Sequence, residues 1–167
     1  CQKMVKEAFG NDELKSKVNI TSANSINIGR LVPQSLYYIY AYSQLKDGKN
    51  IQFTVPSGNF GNLTAGLFAK NWGLPVKQYV AATNNNSVVP EYLESGVFTP
   101  RASVQTPSNA MDVGNPSNFE RLLTMFNNDV KSFRSVIKGD FVTDEDTIKT
   151  MQRYFSERGQ ILDPHTA

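Results

Sequence analysis

Short apolar runs alternate along this chain with longer segments in which apolar residues recur at helical spacing. Some short runs are rich in branched and aromatic residues and others alternate between apolar and polar positions, and both patterns are typical of strands. Between two of these runs, apolar residues from Leu63 onward predict a helix that continues to about Trp72, where Gly73 ends it. The predicted strands are 18–20, 51–55, 76–82 and 161–162.

The remaining helices are predicted from apolar stripes and capping residues. Residues 30–45 are apolar nearly all round, which is typical of a mostly buried helix, and we expect its tyrosines in the core or in an interface. The run 98–114 has little periodicity and is expected to be an ordered excursion. Further helices are predicted near 4–9, from about 90 to Gly96, from Pro116 with Asn115 as its cap, from Val130 to Gly139, and from Thr143 to Gly159.

This order of elements predicts βαβ units, and therefore an α/β fold with a mainly parallel open sheet and helices on both faces. With 167 residues, of which 40% are hydrophobic, the chain is long enough for one core, so we expect a single domain over 1–167. Ligands of open α/β sheets bind beyond the carboxyl ends of the strands. Polar turns follow three predicted strands there, and a shared crevice would include Asn24, Ser25 and Asn84.

The turn between the strand 51–55 and the next helix is the strongest candidate site. A helix start offers unpaired N–H groups and the positive end of the helix dipole, roughly half a unit charge. The glycines of this turn permit positive φ and a close approach to a ligand, and its short polar side chains can bond phosphate oxygens or cap the helix. The residues leave open a phosphate site and a glycine-rich turn without a ligand. The turn consists of Ser57, Gly58, Asn59, Phe60, Gly61 and Asn62.

Two common nucleotide-binding motifs are missing from the chain. There is no Gly-x-Gly-x-x-Gly, so the dinucleotide fingerprint does not fit. The pair Gly48-Lys49 is followed by Asn50 rather than by serine or threonine, so the nucleotide P-loop does not fit either. A ligand of the 57–62 turn would therefore be a smaller phosphate compound.

Charge and composition narrow the classes of function further. The net charge is +2 and the lysines are scattered, so we expect neither a nucleic-acid partner nor a membrane partner. A single cysteine, Cys1, and a single histidine, His165, exclude an internal disulfide and a Cys/His zinc site. No apolar run approaches the ~20 residues needed to cross a bilayer. The sequence predicts a cytoplasmic protein without a metal site.

Three motifs together carry a resemblance to a known family. They are Pro-Ser-Gly-Asn-Phe-Gly-Asn at 56–62, Ser-Ala-Asn-Ser-Ile-Asn at 22–27 and Met-Asp-Val-Gly-Asn-Pro-Ser-Asn at 111–118. In this order they resemble threonine synthase, a pyridoxal-phosphate enzyme of the tryptophan-synthase β-like fold, and the likeness extends over the whole chain. The resemblance implies the Rossmann-like portion of a fold type II enzyme. It also implies conversion of O-phospho-L-homoserine and water to L-threonine and phosphate, with the 57–62 loop holding the cofactor phosphate.

Pyridoxal-phosphate chemistry needs a lysine for the Schiff base and a partner for the pyridine nitrogen. None of the chain's lysines, including Lys46 and Lys49, stands out from an exposed turn or helix position, and His165 is a poor candidate for acid–base work. The resemblance implies that the lysine lies N-terminal to the matched part and that the pyridine partner lies beyond it. We therefore expect no catalytic residue in this chain, a longer parent enzyme that supplies the missing segments, and no turnover by the chain alone.

Two alternatives stay open from the sequence. One is another enzyme of the same pyridoxal-phosphate fold, such as threonine dehydratase or cysteine synthase, although the motifs around Asn24 and Asn115 argue against these. The other is a phosphate-binding or interaction domain without chemistry. Weak binding of inorganic phosphate with no preference for the cofactor would favour the second alternative.

Overall fold

A computed structural model of the chain describes residues 2–45, 48 and 50–167. Cys1, Lys46, Asp47 and Lys49 lie outside the described residues. The strands are β1 (Ile51–Pro56), β2 (Val76–Thr83) and β3 (Ile137–Phe141). The helices are α1 (Gln2–Gly10), α2 (Asp12–Lys17), α3 (Ile28–Leu31), α4 (Ser35–Ser43), α5 (Gly61–Asn71), α6 (Val88–Ser95), α7 (Phe119–Met125), α8 (Val130–Val136) and α9 (Asp144–Arg158), with 3-10 turns at Val32–Gln34 and Asn109–Met111.

The three strands form one parallel sheet in the order β1-β2-β3. Helix α5 connects β1 to β2, and the path from β2 to β3 runs through α6, α7 and α8. Both connections are the crossovers that parallel neighbours require. The predicted α/β fold with a mainly parallel open sheet and helices is confirmed. That residues 1–167 make a single domain stays a prediction.

Successive residues of each strand point to opposite faces of the sheet, and these two faces have different surroundings. Tyr79 and Ile137 belong to the main core, which α4, α5, α6 and α8 cover. Thr54, Val80 and Asp140 point the other way. That second face is approached by α9 at Thr147 and by residues 164–167. None of the helices in the described part of the chain is long and apolar enough to span a membrane.

The predicted strands at 51–55 and 76–82 are confirmed, but the end of the sheet differs from the prediction. Residues 137–141, expected to finish a helix at Gly139, form β3. A Cβ on Gly139 would lie 2.6 Å from Pro90 Cα, so this glycine allows α6 to pack closely over the strand. The strands predicted at 18–20 and 161–162 are wrong, because neither run pairs with a described strand.

The prediction of a mostly buried helix over 30–45 is also wrong. One stripe of α4 faces the core, where Tyr38 is buried and donates a hydrogen bond to the Asn62 carbonyl oxygen at 2.8 Å. Tyr37 and Tyr40 are 74% and 69% exposed. Because this sequence is apolar on nearly all sides, its periodicity does not show which stripe of the helix is buried.

Tyr38 and Tyr79 hold α5 against the sheet. The Tyr79 hydroxyl donates to the Gly66 carbonyl oxygen at 2.6 Å, and the two rings meet edge to face with centroids 5.8 Å apart. Burial raises the pKa of both hydroxyls well above the ordinary value for tyrosine. Both side chains therefore stay protonated and remain donors to α5.

Gly66→Ala is expected to lower the free energy of unfolding by about 1 kcal/mol. The new Cβ would lie 2.8 Å from Tyr38 Cζ and 2.8 Å from Tyr79 Cε1, and neither buried ring is free to withdraw. Overpacking costs about 2 kcal/mol, and the better helix propensity of alanine offsets about 1 kcal/mol of that. Urea unfolding measures the difference. Gly10→Ala, where no atom lies within 4 Å, is the control, and equal stability of both variants would contradict the packing described.

Candidate functional site

The loop from Ser57 to Asn62 joins the carboxyl end of β1 to the start of α5. The Ser57 N–H donates to the Ala82 carbonyl oxygen at 2.8 Å, so the contact with β2 continues one residue past β1. The Ser57 side chain is buried, and its hydroxyl donates to the Val55 carbonyl oxygen at 2.9 Å. The loop thus leaves the sheet from a fixed point.

A run of free backbone donors follows. Among the described contacts, the N–H groups of residues 58–62 donate to no protein acceptor. Phe60, the N-cap of α5, adopts a left-handed conformation with φ 60° and ψ 16°, and no side chain caps the helix. Consecutive free N–H groups at a helix start, next to a left-handed residue, are the usual construction of an anion-binding concavity. This geometry suits a phosphate group.

The two glycines serve the loop differently from the prediction. Positive φ occurs at Phe60 and at neither Gly58 nor Gly61, so that part of the prediction is wrong. A Cβ on Gly58 would lie 2.7 Å from Met111 Cα, and a Cβ on Gly61 would lie 3.0 Å from Leu31 Cδ2. Both glycines allow a close approach, to backbone at Gly58 and to a leucine side chain at Gly61, but the approach is to other parts of the chain.

Asn59 connects three separate segments of the chain. Its Nδ2 donates to Ser25 Oγ at 2.6 Å, and its Oδ1 accepts from the Ser117 N–H at 2.6 Å and the Ser117 hydroxyl at 2.9 Å. The buried Asn118 side chain adds bonds from its Nδ2 to the Asn59 carbonyl at 3.0 Å and the Ser25 carbonyl at 3.2 Å. The motifs at 22–27, 56–62 and 111–118 therefore meet at the loop.

Asn62 also bonds within the chain. Its Nδ2 donates to the Pro56 carbonyl oxygen at 2.6 Å and its Oδ1 accepts from the Leu63 N–H at 2.9 Å. With Asn59 and Ser57 bonded as above, the polar side chains of the loop hold its shape, and the backbone N–H groups are what it offers a ligand.

The three residues expected in a shared crevice are placed unequally. Ser25 contacts the loop directly through Asn59. Asn24 lies beside it, and its Oδ1 accepts from the Ser25 N–H at 2.6 Å. Asn84 is buried, and its Nδ2 donates to Thr106 Oγ1 at 2.8 Å and to Asp112 Oδ1 at 2.9 Å. Its amide therefore supports a neighbouring segment of the chain.

Sequence reasoning missed the roles of Ser117 and Asn118. It expected Asn115 to cap a helix beginning at Pro116, whereas α7 begins at Phe119. The side chains of 117 and 118 instead bond across to the loop, and Asn118 Oδ1 is buried without a partner among the described groups. Contacts between residues about 58 apart in sequence leave no local pattern, and the only signal was the occurrence of the motif itself.

His165 is bonded on both ring nitrogens. Nε2 accepts from the Ala110 N–H at 3.1 Å, and Nδ1 lies 2.6 Å from Asp163 Oδ1. The Asp163 carboxylate also accepts from the His165 backbone N–H, and these bonds, the backbone one first, lower the pKa of Asp163. The ring borders a cavity of about 330 Å³ on the second face of the sheet, together with Thr54 and Asn84. No cluster of three potential metal-ligating side chains occurs among the residues described.

Glu91 anchors the segment 98–114, the predicted excursion, to α6. The Arg101 guanidinium donates to both of its carboxylate oxygens at 2.6 Å, and the Ser87 hydroxyl donates to Oε1 at 2.6 Å. Hydrogen bonds from Arg101 and then from Ser87 lower the pKa of Glu91 to about 2. The pair ties α6 to the segment that also carries Met111.

Glu91→Gln is expected to lower the free energy of unfolding at pH 7 by about 0.5–1 kcal/mol, a value reduced for solvent screening of this partly exposed pair. Because the folded pKa is depressed, the stabilisation is present above the unfolded pKa of about 4.3 and is lost as pH falls toward about 2. Unfolding curves of wild type and variant should therefore converge across this window. Glu94→Gln on the same helix is the control, and a constant difference down to pH 2 would contradict the assignment.

Comparison with known proteins shows which proteins the chain is similar to. It is 47% identical over 169 residues to threonine synthase of Serratia marcescens and 48% identical over 172 residues to that of Haemophilus influenzae. The solved threonine synthase of Escherichia coli superposes with a TM-score of 0.89 and 46% identity over 99% of this chain. This chain is homologous to threonine synthase. No protein-family model matches it.

The chain spans 39% of the length of the threonine synthases from these two bacteria. A solved threonine synthase from Brucella melitensis, described as bound to PLP, superposes with a TM-score of 0.83 and 34% identity. Maize serine racemase, at 14% identity and a TM-score of 0.60, shares the fold alone. The threonine synthase homology and these neighbours confirm the predicted fold class, the Rossmann-like portion of a fold type II enzyme.

Proposed function

We propose that this chain is the cofactor-phosphate-binding part of a pyridoxal-phosphate-dependent threonine synthase. The enzyme converts O-phospho-L-homoserine and water to L-threonine and phosphate in the cytoplasm, with neither nucleic acid nor membrane as a partner. The free backbone N–H groups of residues 58–62 at the start of α5 carry the proposal. Homology to threonine synthases over the whole chain supports the choice of reaction, and it favours this enzyme over threonine dehydratase or cysteine synthase.

The loop fits the phosphate end of pyridoxal phosphate. A phosphate dianion accepts several hydrogen bonds, and the N–H groups of Gly58, Asn59, Phe60, Gly61 and Asn62 are without protein acceptors. The dipole of α5, a helix of 11 residues, favours negative charge at the same point. When bound, the cofactor supplies an electron sink for charge that develops on the substrate.

The chain's own residues would bind and orient the phosphate and leave the bond-making steps to groups outside it. Asn59, Ser25 and Ser117 fix the position of the loop, so the donors are arranged before the ligand arrives. We assign no catalytic residue to this chain. The Schiff-base lysine and the partner of the pyridine nitrogen are proposed to belong to segments of the enzyme outside these 167 residues.

An activity assay tests the proposal. The full-length enzyme that carries these residues should release phosphate and threonine from O-phosphohomoserine in the presence of pyridoxal phosphate, and the 167-residue chain should not. Turnover by the chain alone would overturn the assignment of catalytic residues. A full-length enzyme that releases no phosphate from this substrate would overturn the proposed reaction.

The same free N–H groups would also suit a phosphate-binding domain without chemistry. The two functions differ in ligand preference. Binding of pyridoxal phosphate in clear preference to inorganic phosphate supports the enzyme, and equal weak binding of both supports the simple phosphate-binding domain.

A further inference from the structure

The segment at 110–111 lies directly behind the loop 57–62, which is called the phosphate loop below. A Cβ on Gly58 would be 2.7 Å from Met111 Cα and 3.1 Å from the Ala110 carbonyl oxygen, so the two backbones are in contact. Ser57 and Asn59 anchor the residues on either side of Gly58, and the segment at 110–111 is the contact that limits displacement of Gly58 itself. The position of Met111 therefore determines how far the first free N–H groups can move.

A partly buried polar cluster around Asp112 fixes Met111. The Asp112 carboxylate accepts four hydrogen bonds, from Asn84 Nδ2 at 2.9 Å, Asn86 Nδ2 at 3.3 Å, Thr106 Oγ1 at 2.7 Å and the Thr106 N–H at 3.0 Å. Asn84 Nδ2 also donates to Ser108 Oγ at 3.0 Å. A carboxylate with this many donors has one preferred position, and the residue before it, Met111, is held with it.

The cluster also ties the loop to the neighbouring strand. Asn84 follows directly after β2, which pairs with β1, and β1 leads into the phosphate loop. The segment behind Gly58 is therefore held by the same sheet that positions Ser57. Two elements fixed to one rigid sheet keep a constant separation.

We propose that Asp112 is a positioning residue for the phosphate site, acting through Met111 on Gly58. The proposal rests on the proposed function, because it assigns to Asp112 the support of the loop that binds the cofactor phosphate. The proposed role of Asp112 involves no contact with cofactor or substrate. Its effect is limited to the end of the ligand that carries the phosphate.

The test uses Asp112→Asn in the full-length enzyme and compares dissociation constants for pyridoxal phosphate and pyridoxal. Asparagine replaces one acceptor oxygen with a donor that faces the donors of Thr106 and the neighbouring amides, so the cluster must rearrange. We expect the affinity for pyridoxal phosphate to fall about tenfold, with that for pyridoxal changed less than about twofold. Asp12→Asn, at an exposed site in α2, is the control and should change neither affinity.

The comparison separates failure of this proposal from failure of the proposed function. A wild-type enzyme with no preference for pyridoxal phosphate over pyridoxal would overturn the phosphate site itself. A wild-type preference that Asp112→Asn leaves unchanged, or an equal loss for both ligands, would overturn the positioning role alone. If Asp112→Asn does not fold, Thr106→Val removes one bond to the carboxylate at constant volume. A reduced preference in that variant supports the role, and an unchanged preference overturns it.

Discussion

Gly58→Ala is expected to weaken binding of pyridoxal phosphate about 100-fold, the equivalent of about 2.7 kcal/mol. The new Cβ would lie 2.7 Å from Met111 Cα and 3.2 Å from the Met111 carbonyl carbon. Backbone atoms cannot rotate away as a flexible side chain can, so either the loop or the segment behind it must move. Displacement by a fraction of an ångström at the first free N–H groups misaligns donors that act together on one phosphate.

A fluorescence titration of the full-length enzyme with pyridoxal phosphate measures this loss. Gly10→Ala is the matched control, because its Cβ would meet no atom within 4 Å. Gly58→Ala should also retain most of its affinity for pyridoxal, since the clash lies at the phosphate end. An affinity for pyridoxal phosphate within threefold of wild type would show that the loop does not bind the phosphate as described.

Asn59→Ala is expected to lower the free energy of unfolding by about 3 kcal/mol. The substitution removes three side-chain hydrogen bonds, and each contributes about 1 kcal/mol. It also leaves the Ser117 N–H without its acceptor in a partly buried position. Because these bonds join the segments at 25, 59 and 117, their loss should loosen the loop as well as the fold.

Urea unfolding followed by circular dichroism measures the change. Asn71→Ala is the control, since Asn71 is exposed at the end of α5 and loses no described side-chain bond. Hydrogen exchange of the Ser117 amide, which donates to Asn59 Oδ1, should rise in Asn59→Ala and stay unchanged in the control. A loss of stability no greater than that of Asn71→Ala would contradict the connecting role of Asn59.

The βαβ unit around the loop could be predicted because its signals are local. A branched and aromatic run, a glycine-containing turn and helical spacing after Leu63 follow one another directly, and Gly73 ends the helix at the expected place. The position of a phosphate loop in such a unit follows from topology. This part of the fold and of the candidate site was available from the sequence.

The remaining features depend on contacts that are distant in sequence. Gly139 has the appearance of a helix stop until α6 is placed over it, and only then is it a strand glycine beneath Pro90. Gly58 likewise appears to make room for a ligand until Met111 is placed behind it. The side chain of Asn59 was expected to bond a phosphate or to cap the helix, yet its partners are Ser25 and Ser117. The residue types indicated that these positions have a structural or binding role. Which role each has depends on tertiary packing.

The central claim, that backbone N–H groups at the start of α5 bind a phosphate, is tested most directly by an amide NMR titration of the chain. Pyridoxal phosphate is the ligand, with pyridoxal and inorganic phosphate as separate controls. Saturable shifts centred on residues 58–62 with both phosphate-bearing ligands, and none there with pyridoxal, are the predicted result. Shifts scattered over surface lysines, or no shift in the loop at saturating pyridoxal phosphate, would contradict it.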